Sequence, residues 1–259
     1  MIVSLEHNAF GSQGAPVLIL HGLLGSARNW TTIAKRLGDH ARVFALDLRN
    51  HGSSSWADAS TYDDMAEDVR AFIEERSLEP ATLIGHSMGG KVAMRVALLY
   101  HDLVDRLVIV DIAPVPYRHS FDDYIDAMRS VDVAGMTRRS DVEGELARAI
   151  PDPGVRAFLL QNLTRSDAGF EWRVNLDALA MNMEDIIGWP DTGVARFDGP
   201  TLFVAGERSD YLLPEHQGEI ERLFPNAEIA VIKDAGHWVH AEQPIAFIER
   251  IETFLGRTA

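Results

Sequence analysis

Six short apolar runs, rich in β-branched residues, recur along the chain: PVLILHG (16–22), RVFALDL (42–48), ATLIGHS (81–87), RLVIVDI (106–112), PTLFVAG (200–206) and AEIAVIK (227–233). Continuous runs of this kind suit strands buried on both faces, as in a parallel sheet. Helical patterns lie between them. Residues 63–76 set Met65, Val69, Phe72 and Ile73 on one face, and 88–100 is apolar nearly all round. The closing stretch 245–255 repeats Ile245, Phe247, Ile248, Ile251, Phe254 and Leu255 at helical spacing. Such alternation predicts a doubly wound α/β fold, its mostly parallel central sheet flanked by helices.

One stretch breaks the rhythm. Residues 114–198 carry no convincing strand, only the helix-like pieces FDDYIDAMRSV, VEGELARAI, GVRAFLLQNL and VNLDALAMNMEDIIGW, separated by Pro, Gly and Ser/Asp breaks. An insertion of about 80 residues is too long for an ordinary loop. A helical cap is predicted over 114–198, set into a core formed by 1–113 and 199–259.

The third run ends in GHSMG (85–89), a G-x-S-x-G string placed where a buried strand gives way to a helix. Glycine weakens both kinds of element, so its clustering there has to have a cause. In a strand–turn–helix setting the serine sits at the apex of a sharp, strained bend. Glycines two residues to either side relieve the crowding, and the hydroxyl is pushed out above the sheet. The positive end of the following helix adds to the effect. Ser87 is the candidate nucleophile.

A serine hydroxyl is a weak nucleophile until a base takes its proton and a third group orients that base. Among the ten histidines, His237 in DAGHWVHAEQP follows the last run and precedes the terminal helix. That places it at the carboxyl edge of the sheet, where ligands bind in open α/β folds. His240 is the second candidate. His86 lies inside the elbow, His216 on a polar stretch, and His7, His40, His101 and His119 have no such setting. For the acid two residues stay open: Asp111 ends LVIVD before the insertion, and Asp210 ends LFVAGERSD one strand later. Asp177 belongs to the pattern of the insertion. The loop HGLLGS (21–26) follows a strand and offers backbone amides, so the N–H groups of Leu23 and Met88 are the candidate oxyanion donors.

Taken together, HGLLGS, DLRNHGSS (47–54), GHSMGGK and DAGHWVHAEQP resemble the α/β-hydrolase superfamily over nearly the whole chain. GHSMGGK, VDIAPVPY (110–117), WRVNLDAL (172–179) and AGHWVHAE look closer to a subgroup of small cap-bearing bacterial acyl esterases and thioesterases, related to the mitochondrial abhydrolase-domain proteins. The resemblance implies an α/β-hydrolase fold and hydrolysis of short to medium acyl esters or thioesters. It also implies a nucleophile at Ser87 and a base at His237. In this subgroup the acid comes from the strand before the cap, here Asp111, while many other members use the later strand, where Asp210 stands.

The expected protein is a serine esterase working through an acyl-enzyme on a small-molecule acyl ester or thioester, with no metal or organic cofactor. Phe121, Tyr124, Met128, Phe158, Leu159, Trp172, Leu176, Met181 and Met183 are the cap residues expected to form an apolar acyl pocket. Arg118, Arg165 or Arg173 would meet an anionic headgroup. Two other classes compete: a carbon–carbon hydrolase or lyase on the same scaffold, and a non-catalytic binding module, which would have lost the serine or the histidine. Cysteine is absent, so disulfides, thiolate nucleophiles and zinc–thiolate sites are excluded. Serine at position 87 argues against the aspartate nucleophile of haloalkane dehalogenases, and no H-E-x-x-H appears. Acidic residues outnumber basic ones 39 to 24, a net charge of −15 that repels nucleic acid and anionic membranes. No apolar stretch reaches the ~18 residues of a membrane span. MIVSLEHNAFG lacks the basic and apolar regions of a secretory signal, so a cytoplasmic location is expected.

Overall fold

The computed structural model of the chain describes residues 1–118, 120–167 and 169–256, which leaves His119 outside. Its strands are β1 (His7–Phe10), β2 (Pro16–Leu20), β3 (Arg42–Leu46), β4 (Ala81–His86), β5 (Val104–Val110), β6 (Leu163–Ser166), β7 (Gly169–Trp172), β8 (Thr201–Gly206) and β9 (Ala227–Ile232). Helices α1 (Thr31–Leu37), α2 (Tyr62–Glu75) and α3 (Met88–Leu99) lie between the first strands of the sheet. The insertion holds α4 (Asp122–Ser130), α5 (Arg139–Leu146), α6 (Pro153–Leu159), α7 (Leu176–Met181) and α8 (Met183–Ile187). After it come α9 (Gln217–Leu223), α10 (Val239–Glu242) and α11 (Pro244–Phe254).

Seven strands form one sheet in the order β1-β3-β2-β4-β5-β8-β9. Every pairing in it is parallel except β1 with β3. The six apolar runs supply the parallel strands, and the period of two divides their side chains between two cores. Leu18, Leu20, Leu83, Leu107, Ile109 and Phe203 pack on one face with α2 and α3. Val17, Ile19, Ile84, Val108, Val110, Leu202 and Val204 pack on the other with α1 and α11. The insertion's own buried residues, among them Ile125, Met128, Val142 and Leu146, continue the first core, so it sits on that side of the sheet.

Two elements depart from the expectation. β1 is a short antiparallel edge strand whose sequence, HNAF, has no apolar run to announce it. The insertion, read as purely helical, contains the antiparallel hairpin β6–β7, with Leu163 opposite Trp172 and Arg165 opposite Phe170. Only Leu163 and Phe170 of that hairpin are buried, so it lacks the continuous apolar signature of the central strands. No helix among the described residues is long and apolar enough to cross a membrane.

Candidate active site

β4 runs into α3 through Ser87, whose backbone sits at φ 52°, ψ −122°, a strained setting for a residue with a side chain. The bend is braced on all sides. Ser87 N–H donates to the Val110 carbonyl of β5 at 3.0 Å, and the Gly90 and Lys91 amides donate back to the Ser87 carbonyl at 2.8 and 3.1 Å. A Cβ on Gly85 would overlap the Gly89 carbonyl, and one on Gly89 would strike the carbonyls of Leu20 and His21. The two flanking glycines thus let β4, α3 and β2 close to backbone contact beneath the serine.

His237 follows β9 and donates from Nδ1 to Asp111 Oδ2 at 2.7 Å. Asp111, fully buried, comes directly after β5 and is also held in the left-handed region, at φ 53°. Its carboxylate accepts two further bonds, from Gly206 N–H at 2.9 Å and from the Ser209 hydroxyl. Three donors keep that buried charge satisfied, as its burial requires. With Nδ1 committed to the acid, His237 has Nε2 left for other partners. Tyr211 stacks on the imidazole at 3.8 Å between centroids. His86 Nε2 donates to the His237 carbonyl at 2.9 Å, fixing the backbone of that loop.

Sequence left the acid open between two residues, and the geometry separates them. Asp210 is exposed, whereas its neighbour Ser209 turns inward to Asp111. His240 also differs from His237: it stacks on Trp30 at 4.0 Å, its Nδ1 is buried without a partner, and burial pushes its pKa down to about 3.

The loop after β2 is held by two more buried histidines. His21 Nδ1 donates to the Gly22 carbonyl at 2.8 Å while Nε2 accepts from Leu48 N–H at 3.0 Å. His51 Nδ1 donates to the Arg49 carbonyl at 2.8 Å while Nε2 accepts from Leu24 N–H at 3.1 Å. Each therefore has to be a neutral ring protonated on Nδ1. Burial lowers both pKa values, that of His51 to about 3. Gly22 lies so close to the elbow that a Cβ there would come within 3.2 Å of Ser87 Cβ. The loop carrying Leu23 is thereby set against the nucleophile turn. The DLRNHGSS segment that supplies His51 is anchored by Arg49, which bonds Asp68 through Nε at 2.6 Å and Nη2 at 2.8 Å.

A cavity of about 740 Å³ opens over these groups, with Ser87, His237, Leu23 and Leu24 in its walls. Of the cap residues expected to form a pocket, Phe121, Tyr124, Phe158 and Leu159 line it. Met128, Trp172, Leu176, Met181 and Met183 do not. Met128, Leu176 and Met183 are buried in the insertion's own core. Trp172 Nε1 donates to the Met128 carbonyl at 3.1 Å, and Met181 is 71% exposed. Helical periodicity marks a buried face but not what it is buried against. Tyr211, Trp238 and Arg28 also line the cavity and carry no motif of their own. Met88, the other candidate amide, begins α3 beside a small second cavity shared with Ser87, Leu23 and Lys91.

Comparison with known proteins agrees with the fold. A family model described as the alpha/beta hydrolase fold matches residues 15–244. The chain is 41% identical to the sn-1-specific diacylglycerol lipase ABHD11 of Danio rerio, over 98% of this chain and 83% of that one. It is 34% identical to esterase YbfF of Escherichia coli strain K12, over 96% of this chain and 95% of that one. A solved structure titled marine microorganism esterase superposes with a TM-score of 0.94 at 38% identity, covering 97% of this chain and 99% of the other. The chain belongs to the α/β-hydrolase family.

Proposed function

We propose that this protein is a serine hydrolase of carboxylic esters, acting on short to medium acyl chains, with thioesters as chemically equivalent substrates. The observation that carries the reading is the meeting of three groups at one cavity. Ser87 sits on a strained elbow in its wall, His237 faces the same space, and Asp111 holds His237 by Nδ1 at 2.7 Å. Lipase and esterase activities among the relatives support the same class.

In this reading His237 Nε2 takes the Ser87 proton as Oγ adds to the ester carbonyl. The resulting oxyanion is met by the N–H groups of Leu23 and Met88, donors placed where charge develops. His237 then gives its proton to the leaving alkoxide or thiolate, leaving an acyl-serine. Water, deprotonated by the same nitrogen, attacks that ester, and the collapse returns the proton to Ser87. Asp111 keeps the imidazole in the Nδ1–H tautomer and stabilises the imidazolium in each half of the cycle. Residues 114–198 act as a cap, with Phe121, Tyr124 and Phe158 forming the apolar wall over the acyl chain.

Hydrolysis of p-nitrophenyl esters from acetate to palmitate, compared in wild type and Ser87→Ala, tests this. Turnover with an optimum at short or medium chains is expected, falling by roughly 10⁴-fold or more in the variant. No turnover of any ester by the wild type would sink the esterase reading and turn attention to carbon–carbon substrates.

A further inference from the structure

Arg28 and Gln161 each line two cavities at once. One is the large cavity over Ser87, and the other is a polar cleft of about 90 Å³ behind it, walled also by Ser26, Asp47, Ser53 and Arg173. The cleft forms where the core meets the insertion. Arg173, next to β7, donates to the Ser53 hydroxyl, and Asn29 Nδ2 donates to Gln161 Oε1 at 2.5 Å, so both sides are tied together around it.

The charges there are unevenly occupied. Asp47 accepts from Ala27 N–H and Ser53 N–H, both at 2.8 Å. Asp152, in the large cavity's wall, accepts from Gly154 N–H at 2.7 Å and Val155 N–H at 3.0 Å. Glu242, also in that wall, accepts from Gly236 N–H at 2.9 Å and Trp238 N–H at 3.3 Å. The carboxylates are thus engaged by backbone amides. Arg28 is exposed, and among the described residues its guanidinium makes no hydrogen bond or ion pair; the Arg173 guanidinium makes only the bond to Ser53. Two cations with free donors converge on one cleft, in a chain whose net charge of −15 would otherwise repel anions.

From this we infer that the cleft is an anion subsite: it takes a terminal carboxylate or phosphate of the ester substrate while the ester group lies at Ser87. A planar guanidinium with paired N–H donors matches either oxyanion. Arg28 and Gln161 stand in the walls of both cavities, so an extended ester lying at Ser87 would bring its far end towards the cleft. The inference deepens the esterase reading and rests on it for the position of the scissile bond. It adds that this enzyme prefers esters bearing a distal negative charge.

Equilibrium binding to Ser87→Ala separates the two claims, because it needs no turnover. Monoethyl adipate supplies the carboxylate, monohexyl phosphate the phosphate, and diethyl adipate the neutral control, each titrated by calorimetry. The affinity ratio of anionic over neutral ligand is expected to fall by about 10-fold or more in Ser87→Ala/Arg28→Gln, and less in Ser87→Ala/Arg173→Gln. Added salt should narrow the ratio in Ser87→Ala itself. Whichever anion shows the larger fall identifies the group the cleft is made for. Ratios unmoved by either arginine substitution and by salt would overturn the anion subsite, and would do so even if wild type hydrolyses neutral esters well.

Discussion

Asp111 gathers three donors on a single buried carboxylate. It is fully buried, and each of its three donors has a separate consequence. Gly206 N–H ties it to the end of β8, His237 Nδ1 links it to the cavity over Ser87, and the Ser209 hydroxyl adds a second donor to Oδ2. Ser209→Ala should remove one stabilising donor without disturbing the imidazole contact. A loss of about 1–1.5 kcal/mol, or roughly 10-fold in kcat, is expected with KM little changed. Asp210→Ala, at an exposed position with no part in the site, is expected to stay within about two-fold of wild type. Steady-state kinetics on p-nitrophenyl butyrate would check both. Equal losses in the two variants would mean that the acid has been assigned to the wrong residue. Sequence alone stopped short of this distinction for a physical reason. Ser209 and Asp210 are neighbours in a loop, where no periodicity dictates which side chain turns inward.

At the scale of elements, the strained turn at Ser87 was legible because its constraint is local. Glycines at 85 and 89, a serine between them and a strand-to-helix change all lie within a few residues. The parallel strands were legible as apolar runs; β2, β4 and β8 are buried on both faces as such runs predict, whereas β9, at the sheet edge, leaves Ile229 and Val231 exposed. The edge strand β1 and the hairpin β6–β7 were not: β1 buries none of its residues and pairs with the distant β3, and β6 and β7 bury only Leu163 and Phe170. Of the residues expected to form an acyl pocket, Phe121, Tyr124 and Phe158 line the cavity, while Met128 and Trp172 close the insertion on itself. The loop of residues 21–25 adds something that motif reading missed. It is positioned by imidazoles that have to stay neutral, and His51 reaches it from the following segment, at Leu24 N–H. His51→Phe leaves that amide without its acceptor, at a cost of about 1–3 kcal/mol. If the loop carries an oxyanion donor, kcat should fall by roughly 10-fold or more while KM moves little. An unchanged kcat in a folded variant would show that the bond to His51 has no part in placing the donor.

For the molecule as a whole, buried neutral histidines link stability to pH. His51 and His240 both have pKa values lowered by burial to about 3, from an ordinary value of 6.5. Between those values the unfolded chain binds protons that the folded chain excludes, so their contribution is present above pH 6.5 and is lost as pH falls below it. At pH 5 each histidine should cost about 2 kcal/mol of stability, with the loss growing towards pH 3. The melting temperature is expected to drop between pH 7 and pH 5, and His240→Phe, which keeps an aromatic face against Trp30, should reduce the drop. Thermal unfolding at pH 7, 6 and 5 would decide, and identical pH dependence in the two proteins would contradict the assignment to His240. The same molecule brings the ends of β4, β5 and β9 to one edge of the sheet, and the central claim is that Ser87, Asp111 and His237 act there as one unit. Its most direct test is the mass of the intact protein after reaction with a fluorophosphonate, followed by peptide mapping. The account predicts a single adduct on Ser87, none in Ser87→Ala, and labelling slowed by roughly 10³-fold or more in His237→Ala. An unlabelled wild type, or an adduct on any other residue, would contradict it.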